Sequence, residues 1–377
     1  MGSEKPKKSF GNVLVIGGCG FLGHHIVNQL LESYDAQVSV LDLRTDRNRA
    51  PSVSYYDADI TSESKVREVL HKVKPAVIIH TASPTFTDSE GANRALYRKV
   101  NVDGTRNLIE RAGELGSVKA FIYTSSASVI HDTVNDLINA DEKWPVLRSP
   151  QQREYYSETK GIAEGIVLDA NRKYGNMLTI SIRPAGIFGE GDVQVVPGLL
   201  KAYYGNKTKY QIGDNMNLYD FTYVGNVAYA HILAAVALLN THALSIQPLD
   251  HEKVDGEPFF ITNGQPLYFW DMARLVWKAA GDETVPSQVW VIGKDLGLAL
   301  ASVAEWLFWL VGAGKPTISR KAFNYSTMTR YYNIDKAKRM LGYKPKVGME
   351  EAILRTVKFI QAEREHTEAQ KQGKKTQ

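Results

Sequence analysis

The chain has 377 residues, with 45 Lys and Arg against 41 Asp and Glu for a formal charge of +4, and 44% of it is hydrophobic. That is enough apolar material to bury one large core or two ordinary ones, and it excludes a disordered chain, a collagen-like repeat and a polytopic membrane protein. The basic excess is too small and scattered for a nucleic-acid footprint. A single cysteine, Cys19, excludes an intramolecular disulfide and a cysteine-based zinc cluster. The basic start, residues 1–8, leads straight into strand-like sequence, so no secretory signal is expected and the catalytic part is expected to face the cytosol.

In chain order, short β-branched runs alternate with longer amphipathic stretches, the pattern of βαβ units and a parallel sheet. Strands are predicted at 13–16, 38–41, 53–56, 76–79, 120–123 and 178–182, and helices at about 22–33, 63–73, 93–113 and 155–174. Several of the strand runs are apolar throughout, as parallel strands covered on both faces are. Six strands with crossover helices predict an α/β fold with a doubly wound parallel sheet of Rossmann type. The nucleotide-binding domain is expected over 10–185. Beyond Pro184 the alternation weakens and glycine and aromatic residues rise, so a smaller substrate domain is expected over 186–361. The two are expected to interleave through a return segment at about 220–263, with a strand at 258–263. Residues 362–377 lack periodicity and are expected to form a flexible tail.

The first strand closes in Gly17, Gly20 and Gly23, and Phe21 and Leu22 open the helix behind it. Backbone N–H groups and a helix N-terminus in that context can cradle a pyrophosphate. Asp42 follows 19 residues after Gly23 at the tip of the second strand. A carboxylate there accepts hydrogen bonds from the adenosine ribose and repels a 2′-phosphate, which favours NAD; Arg44 leaves NADP open. Asp59 and Ile60 follow the third strand, where a carboxylate could meet the adenine amino group, and an ordinary turn Asp accounts for the spacing equally well. Thr81, Ala82 and Ser83 close the fourth strand after His80, and small residues there let a cofactor lie against backbone.

Tyr156 and Lys160 stand four residues apart on one predicted helix face. The ammonium can stabilise a phenolate and hydrogen-bond the nicotinamide ribose, and a phenol lowered in pKa is a usable base for an alcohol proton. Ser126, at the end of the fifth strand, can hold the substrate oxygen as it becomes a carbonyl. A Tyr and Lys at this spacing are common on helix surfaces; the glycine loop and the serine strand, in this order, give the pair its meaning. The nine histidines form no His-Glu-x-x-His pair, so no metal is expected.

On these residues the sequence resembles the extended short-chain dehydrogenase/reductase (extended SDR) superfamily. The match covers Gly17, Gly20, Gly23, Asp42, Asp59, the run 101–107 beginning at Asn101, Ser126, Tyr156, Lys160, and the run 183–189 with Pro184. Ile16 stands where the superfamily usually has Thr. Segments 121–126, 221–231 and 259–266 resemble the 3β-hydroxysteroid dehydrogenase branch, and 268–271 and 331–338 resemble the decarboxylating sterol-4α-carboxylate 3-dehydrogenases. The resemblance implies NAD-dependent oxidation of the 3β-hydroxyl of a 4α-carboxysterol, with decarboxylation at C4 to a 3-ketosteroid in ergosterol-type synthesis. It implies Ser126, Tyr156 and Lys160 as the catalytic set. Cofactor contacts are implied from the glycine loop, Asp42, Asp59, Ile60, Thr81, Ala82, Ser83, Asn101, Lys160 and Pro184. Other enzymes of sterol C4 demethylation and a second copy of the chain are the implied partners. A 3β-hydroxysteroid dehydrogenase/isomerase, a triterpenoid-tailoring dehydrogenase and a nucleotide-sugar epimerase share the triad, although a polar sugar nucleotide leaves the aromatic region 290–309 unexplained. A non-catalytic dinucleotide sensor on the same sheet has no need of an intact Tyr156 and Lys160.

The stretch 289–314 is mostly apolar, with Trp290, Trp306, Phe308 and Trp309, but Lys294, Asp295 and Glu305 interrupt it. A bilayer span needs about 20 apolar residues, and a central charge costs about 2.5–3.5 kcal/mol. A helix in the headgroup layer with Trp at the boundary suits the composition better, and a buried helix or a dimer contact suits it equally. Resemblance to a membrane-associated sterol branch implies monotopic attachment at the cytosolic face of the endoplasmic reticulum. Lys374 and Lys375 near the end resemble a di-lysine retrieval signal.

Overall fold

The computed structural model describes residues 9–85, 93–310 and 320–375. Seven strands, β1 (Ser9–Ile16), β2 (Asp35–Asp42), β3 (Ser54–Asp57), β4 (Val77–His80), β5 (Ala120–Thr124), β6 (Leu178–Pro184) and β7 (Glu257–Ile261), form one sheet. Its order is β7-β6-β5-β4-β1-β2-β3 and every pairing is parallel. Helices α1 (Phe21–Ser33), α2 (Glu63–Val73), α3 (Thr105–Leu115), α4 (Tyr155–Asp169) and α5 (Val224–His242) cover its two faces.

Successive residues of a strand point to opposite faces, so β1 feeds two cores. Val13 and Val15 join Ile26, Leu30, Val227 and Leu238 on one face. Leu14 and Ile16 join Val66, Leu70, Leu108 and Val167 on the other. Burial on both sides explains why β1, β4 and β5 read as unbroken apolar runs. α5 is long and apolar enough to cross a membrane by length and composition. It packs on α1, β5 and β6 as a core helix.

The predicted helix 93–113 is built in three pieces: Arg94–Tyr97, a π-helical stretch Arg98–Gly104, and α3. The wide turn lets Ile60 press on Gly104, where a Cβ would fall 2.7 Å from Ile60 Cγ1, and carries Asn101 into the interior. Such stretches recur at functional sites. The predicted helix 155–174 ends at Asp169, and the predicted return strand is β7, which sets Phe259 beside Ile182.

At the carboxyl side of the sheet, strands Leu137–Ala140, Leu218–Tyr219, Leu267–Tyr268 and Arg330–Tyr332 make a second, four-stranded sheet. Strand Trp290–Ile292 pairs with Tyr210–Ile212, and helix Lys294–Leu310 follows it. Among the described side chains of that helix Gly297 and Ala301 are buried; a Cβ on Gly297 would fall 1.9 Å from Phe323. Leu296, Val303, Trp306, Leu307 and Leu310 are exposed, so the segment is a surface helix and not a buried one. Residues 311–314 and the Trp309 side chain lie outside the described residues, as do 1–8, 376 and 377.

The end of the chain departs from expectation. Where a flexible tail is predicted from Ala362, helix Met349–Lys375 continues instead. From Glu363 to Lys371 its side chains are exposed all round, tied by the Arg364–Glu368 pair and by Arg364 over the Tyr204 ring at 3.9 Å. A helix with no apolar stripe leaves no periodicity for the sequence to display.

Candidate active site

The glycine loop is a close-packed turn. Gly17 has φ +80°, and a Cβ there would lie 2.7 Å from Ala82 N. Gly17 N–H donates to Leu41 O at 2.8 Å and Gly20 N–H to Gly17 O at 3.0 Å. Gly23 is the tightest position: a Cβ would meet Gly17 O at 2.1 Å, so only glycine lets α1 start against its own strand. Asp42 Oδ2 accepts Cys19 N–H at 3.0 Å, which ties the loop to the tip of β2. Thr81 Oγ1 donates to Ile16 O at 2.9 Å. The first turn of α1 holds no acidic side chain, so its unpaired N–H groups remain suited to an anion. Phe21 is half-buried, Leu22 is buried, and Pro184 closes β6.

Asp59 is occupied locally: Oδ1 accepts Thr61 N–H at 2.9 Å and Oδ2 stands 4.0 Å from Lys99 Nζ. That is the geometry of a turn carboxylate, with Ile60 buried behind it.

α4 presents Tyr156, Ser157, Thr159 and Lys160 toward the ends of β4 and β5. Lys160 is 2% exposed; its Nζ donates to Thr124 O and sits 4.5 Å from the Tyr123 ring centroid. Burial pushes the ammonium down to about 7, partly offset by Glu164. The Tyr156 ring meets Tyr97 edge-on at 5.5 Å, and its phenol hydrogen-bonds Ser83. Burial pushes that phenol up to about 12, with the Ser83 bond opposing. The spacing predicts a phenol lowered by its lysine; instead, loss of solvation dominates both groups and drives their pKa values apart, the phenol up and the ammonium down.

Hydrogen bonds bind these pieces into one edge. Ser83 Oγ donates to Asn101 Oδ1 at 2.9 Å, and Asn101 Nδ2 donates to Thr159 Oγ1 at 3.1 Å. Ser126 Oγ bonds Ser128 Oγ at 2.8 Å, and Ser157 Oγ donates to Ser128 Oγ at 2.8 Å, so the strand end carrying Ser126 is bridged to the residue after Tyr156. Ser128, Ser157 and Thr159 escape sequence reasoning because the bonds that join them into this edge, Ser157 to Ser128 and Asn101 to Thr159, span 29 and 58 residues. Buried His80 bonds Thr105 and buried His231 bonds Thr124, whose carbonyl accepts from the lysine, and burial and the Lys160 charge hold both imidazoles low, His80 at about 3 and His231 at about 4.

With this sheet and this edge, the chain belongs to the 3-beta hydroxysteroid dehydrogenase/isomerase family, whose profile matches residues 14–290. It is 39% identical over 358 residues to the decarboxylating sterol-4-alpha-carboxylate 3-dehydrogenase of Saccharomyces cerevisiae, covering 93% of this chain and 97% of that one. Against the enzyme of the same name from Homo sapiens it is 37% identical, over 91% of this chain and 86% of that one. The UDP-glucose 4-epimerase of Thermus thermophilus, solved as a complex with NAD, shares the fold with a TM-score of 0.66 at 22% identity, over 93% of this chain and 99% of that one.

Proposed function

We propose that this chain oxidises the 3β-hydroxyl of a 4α-carboxysterol with loss of the C4 carboxyl as carbon dioxide, giving a 3-ketosteroid in ergosterol-type synthesis. The observation that carries this is the bridged edge itself: Ser126, Tyr156 and Lys160 held at the strand ends next to a glycine turn, in a chain so similar to the relatives of that name.

A dinucleotide fits the residues present. Gly17, Gly20 and Gly23 keep the backbone bare, with Phe21 and Leu22 behind them and Asp42 at the ribose position. Thr81, Ala82, Ser83, Asn101, Lys160 and Pro184 would hold the nicotinamide end, and Asp59 with Ile60 the adenine end. The carboxylate of Asp42 favours NAD over NADP. When bound, the dinucleotide supplies the hydride acceptor.

The chain's own residues then manage the proton. Tyr156 takes it from the C3 hydroxyl, Lys160 steadies the phenolate when protonated, and Ser126 donates to the C3 oxygen. The resulting β-keto acid breaks its C4–carboxyl bond, the electron pair entering a C3–C4 enolate. The proton taken from the hydroxyl is returned to that enolate, so a carboxylate substrate needs none from outside.

The same reading places the chain on the cytosolic face of the endoplasmic reticulum, beside other enzymes of sterol C4 demethylation. Trp290 is 72% and Trp306 58% exposed. A helix of 17 residues spans about 25 Å, short of the roughly 30 Å hydrocarbon core, so it suits the headgroup layer. Replacing Trp290 and Trp306 by Ser is expected to weaken flotation with phosphatidylcholine vesicles; unchanged flotation counts against the attachment. The activity test supplies NAD with a 4α-carboxysterol, or with a UDP-sugar, and follows NADH and carbon dioxide together. Equal yields of both products from the sterol are expected, and turnover of the sugar alone would overturn the reading.

A further inference from the structure

Strand Arg330–Tyr332 lies between Leu137–Ala140 and Leu218–Tyr219, and alternation puts Arg330 and Tyr332 on one face. That face meets the catalytic strand end. Tyr332 Oη donates to Ala127 O at 3.3 Å, one residue past Ser126, and its ring stacks on Phe260 at 4.8 Å.

Arg330 is 7% exposed. Its Nε donates to Tyr332 Oη at 2.7 Å and its Nη1 to Tyr325 Oη at 3.0 Å, with those two rings 6.0 and 5.8 Å from the guanidinium carbon. Among the described residues no carboxylate pairs with it, and Nη2 has no hydrogen-bond partner. The neighbouring acid, Asp220, spends Oδ2 on Tyr332 N–H at 2.8 Å, and burial pushes it up to about 7. A buried guanidinium held only by neutral phenols lacks the anion that would offset its desolvation. What it offers is planar donors matched to a carboxylate.

We propose that Arg330 receives the C4 carboxylate of the substrate and sets the preference for the acid. The assignment rests on the reaction proposed above. The carboxyl carbon is attached next to C3, whose oxygen Ser126 holds, so its binding group must stand beside Ser126; the Tyr332–Ala127 contact puts Arg330 there. Because a cation favours the carboxylate over departing carbon dioxide, Arg330 acts through substrate binding and leaves bond breaking to the C3 ketone.

The test compares a 4α-carboxy-3β-hydroxysterol with its methyl ester, using the full chain and NAD and reading NADH. The wild-type protein is expected to prefer the acid about tenfold or more in kcat/KM. In Arg330→Gln that preference falls about 10- to 100-fold, through the KM of the acid, and Arg330→Lys restores part of it. Oxidation of both compounds at equal kcat/KM by the wild type overturns this assignment alone, and needs no variant to fold. An unchanged preference in a folded Arg330→Gln overturns it too. Oxidation of neither compound overturns the reaction and the assignment together.

Discussion

The two sides of the catalytic edge treat their polar groups differently. On the glycine-loop side the chain answers itself: Asp42 takes the Cys19 N–H, Thr81 bonds Ile16, and Ser83 is bonded through Asn101 to Thr159. On the far side Arg330 is buried among phenols, with no anion beside it among the described residues. Arg183 makes the contrast sharper. It is as deeply buried, yet Glu164 grips it with two bonds of 2.5 and 2.9 Å, and Ser181 adds a third to that carboxylate. A site for a ligand shared by many folds can be pre-formed from the chain's own groups, whereas a site that selects one substrate keeps a group unspent.

The largest effect is expected at the point where the two sides meet. Tyr156→Phe keeps the ring against Tyr97 and removes only the proton acceptor. Turnover should fall about 10²- to 10⁴-fold while dinucleotide binding, read by fluorescence titration, persists. Turnover near wild type would refute Tyr156 as the base and detach the hydroxyl bridge from the chemistry.

The next effect tests the contrast between the arginines. Glu164→Ala strands Arg183 in the core, and a buried charge losing its partner costs about 3–5 kcal/mol. Urea denaturation of the variant should show a loss of that size. A loss under about 1 kcal/mol would mean that this fold tolerates an unpaired buried guanidinium, and the state of Arg330 would then carry no message about a ligand.

Much of this arrangement is legible in the sequence where the signal is local. β1, its glycine turn and α1 are contiguous, and the apolar runs of β4 and β5 announce burial on both faces. Tyr156 and Lys160 lie one helical turn apart, so spacing alone puts them on one face. The rest depends on long-range convergence. Asn101 reaches Thr159 across 58 residues and Ser128 reaches Ser157 across 29. The phenols around Arg330 come from different elements, at 325 and 332, and Tyr219 joins them from a third. Electrostatics is the least legible of all, because the desolvation that moves Tyr156 and Lys160 appears only once the chain has packed around them.

The smallest effect decides between the lysine as the spacing predicts it and the lysine as the fold treats it. Lys160 sits at about 7 in the folded chain against an ordinary value of 10.5. Between those values the unfolded chain binds a proton that the folded chain has released, so stability rises with pH across that window; below about 7 both states are protonated and the slope vanishes. Glu164 opposes the shift, and His80 and His231, held at about 3 and about 4, stay neutral throughout it. Lys160→Met removes the contribution, so the urea midpoint of the wild type should gain on that of the variant as pH rises from about 7 to about 9. A difference that stays flat would mean that Lys160 keeps its charge inside the protein and already serves as the phenolate's counter-ion before any ligand arrives.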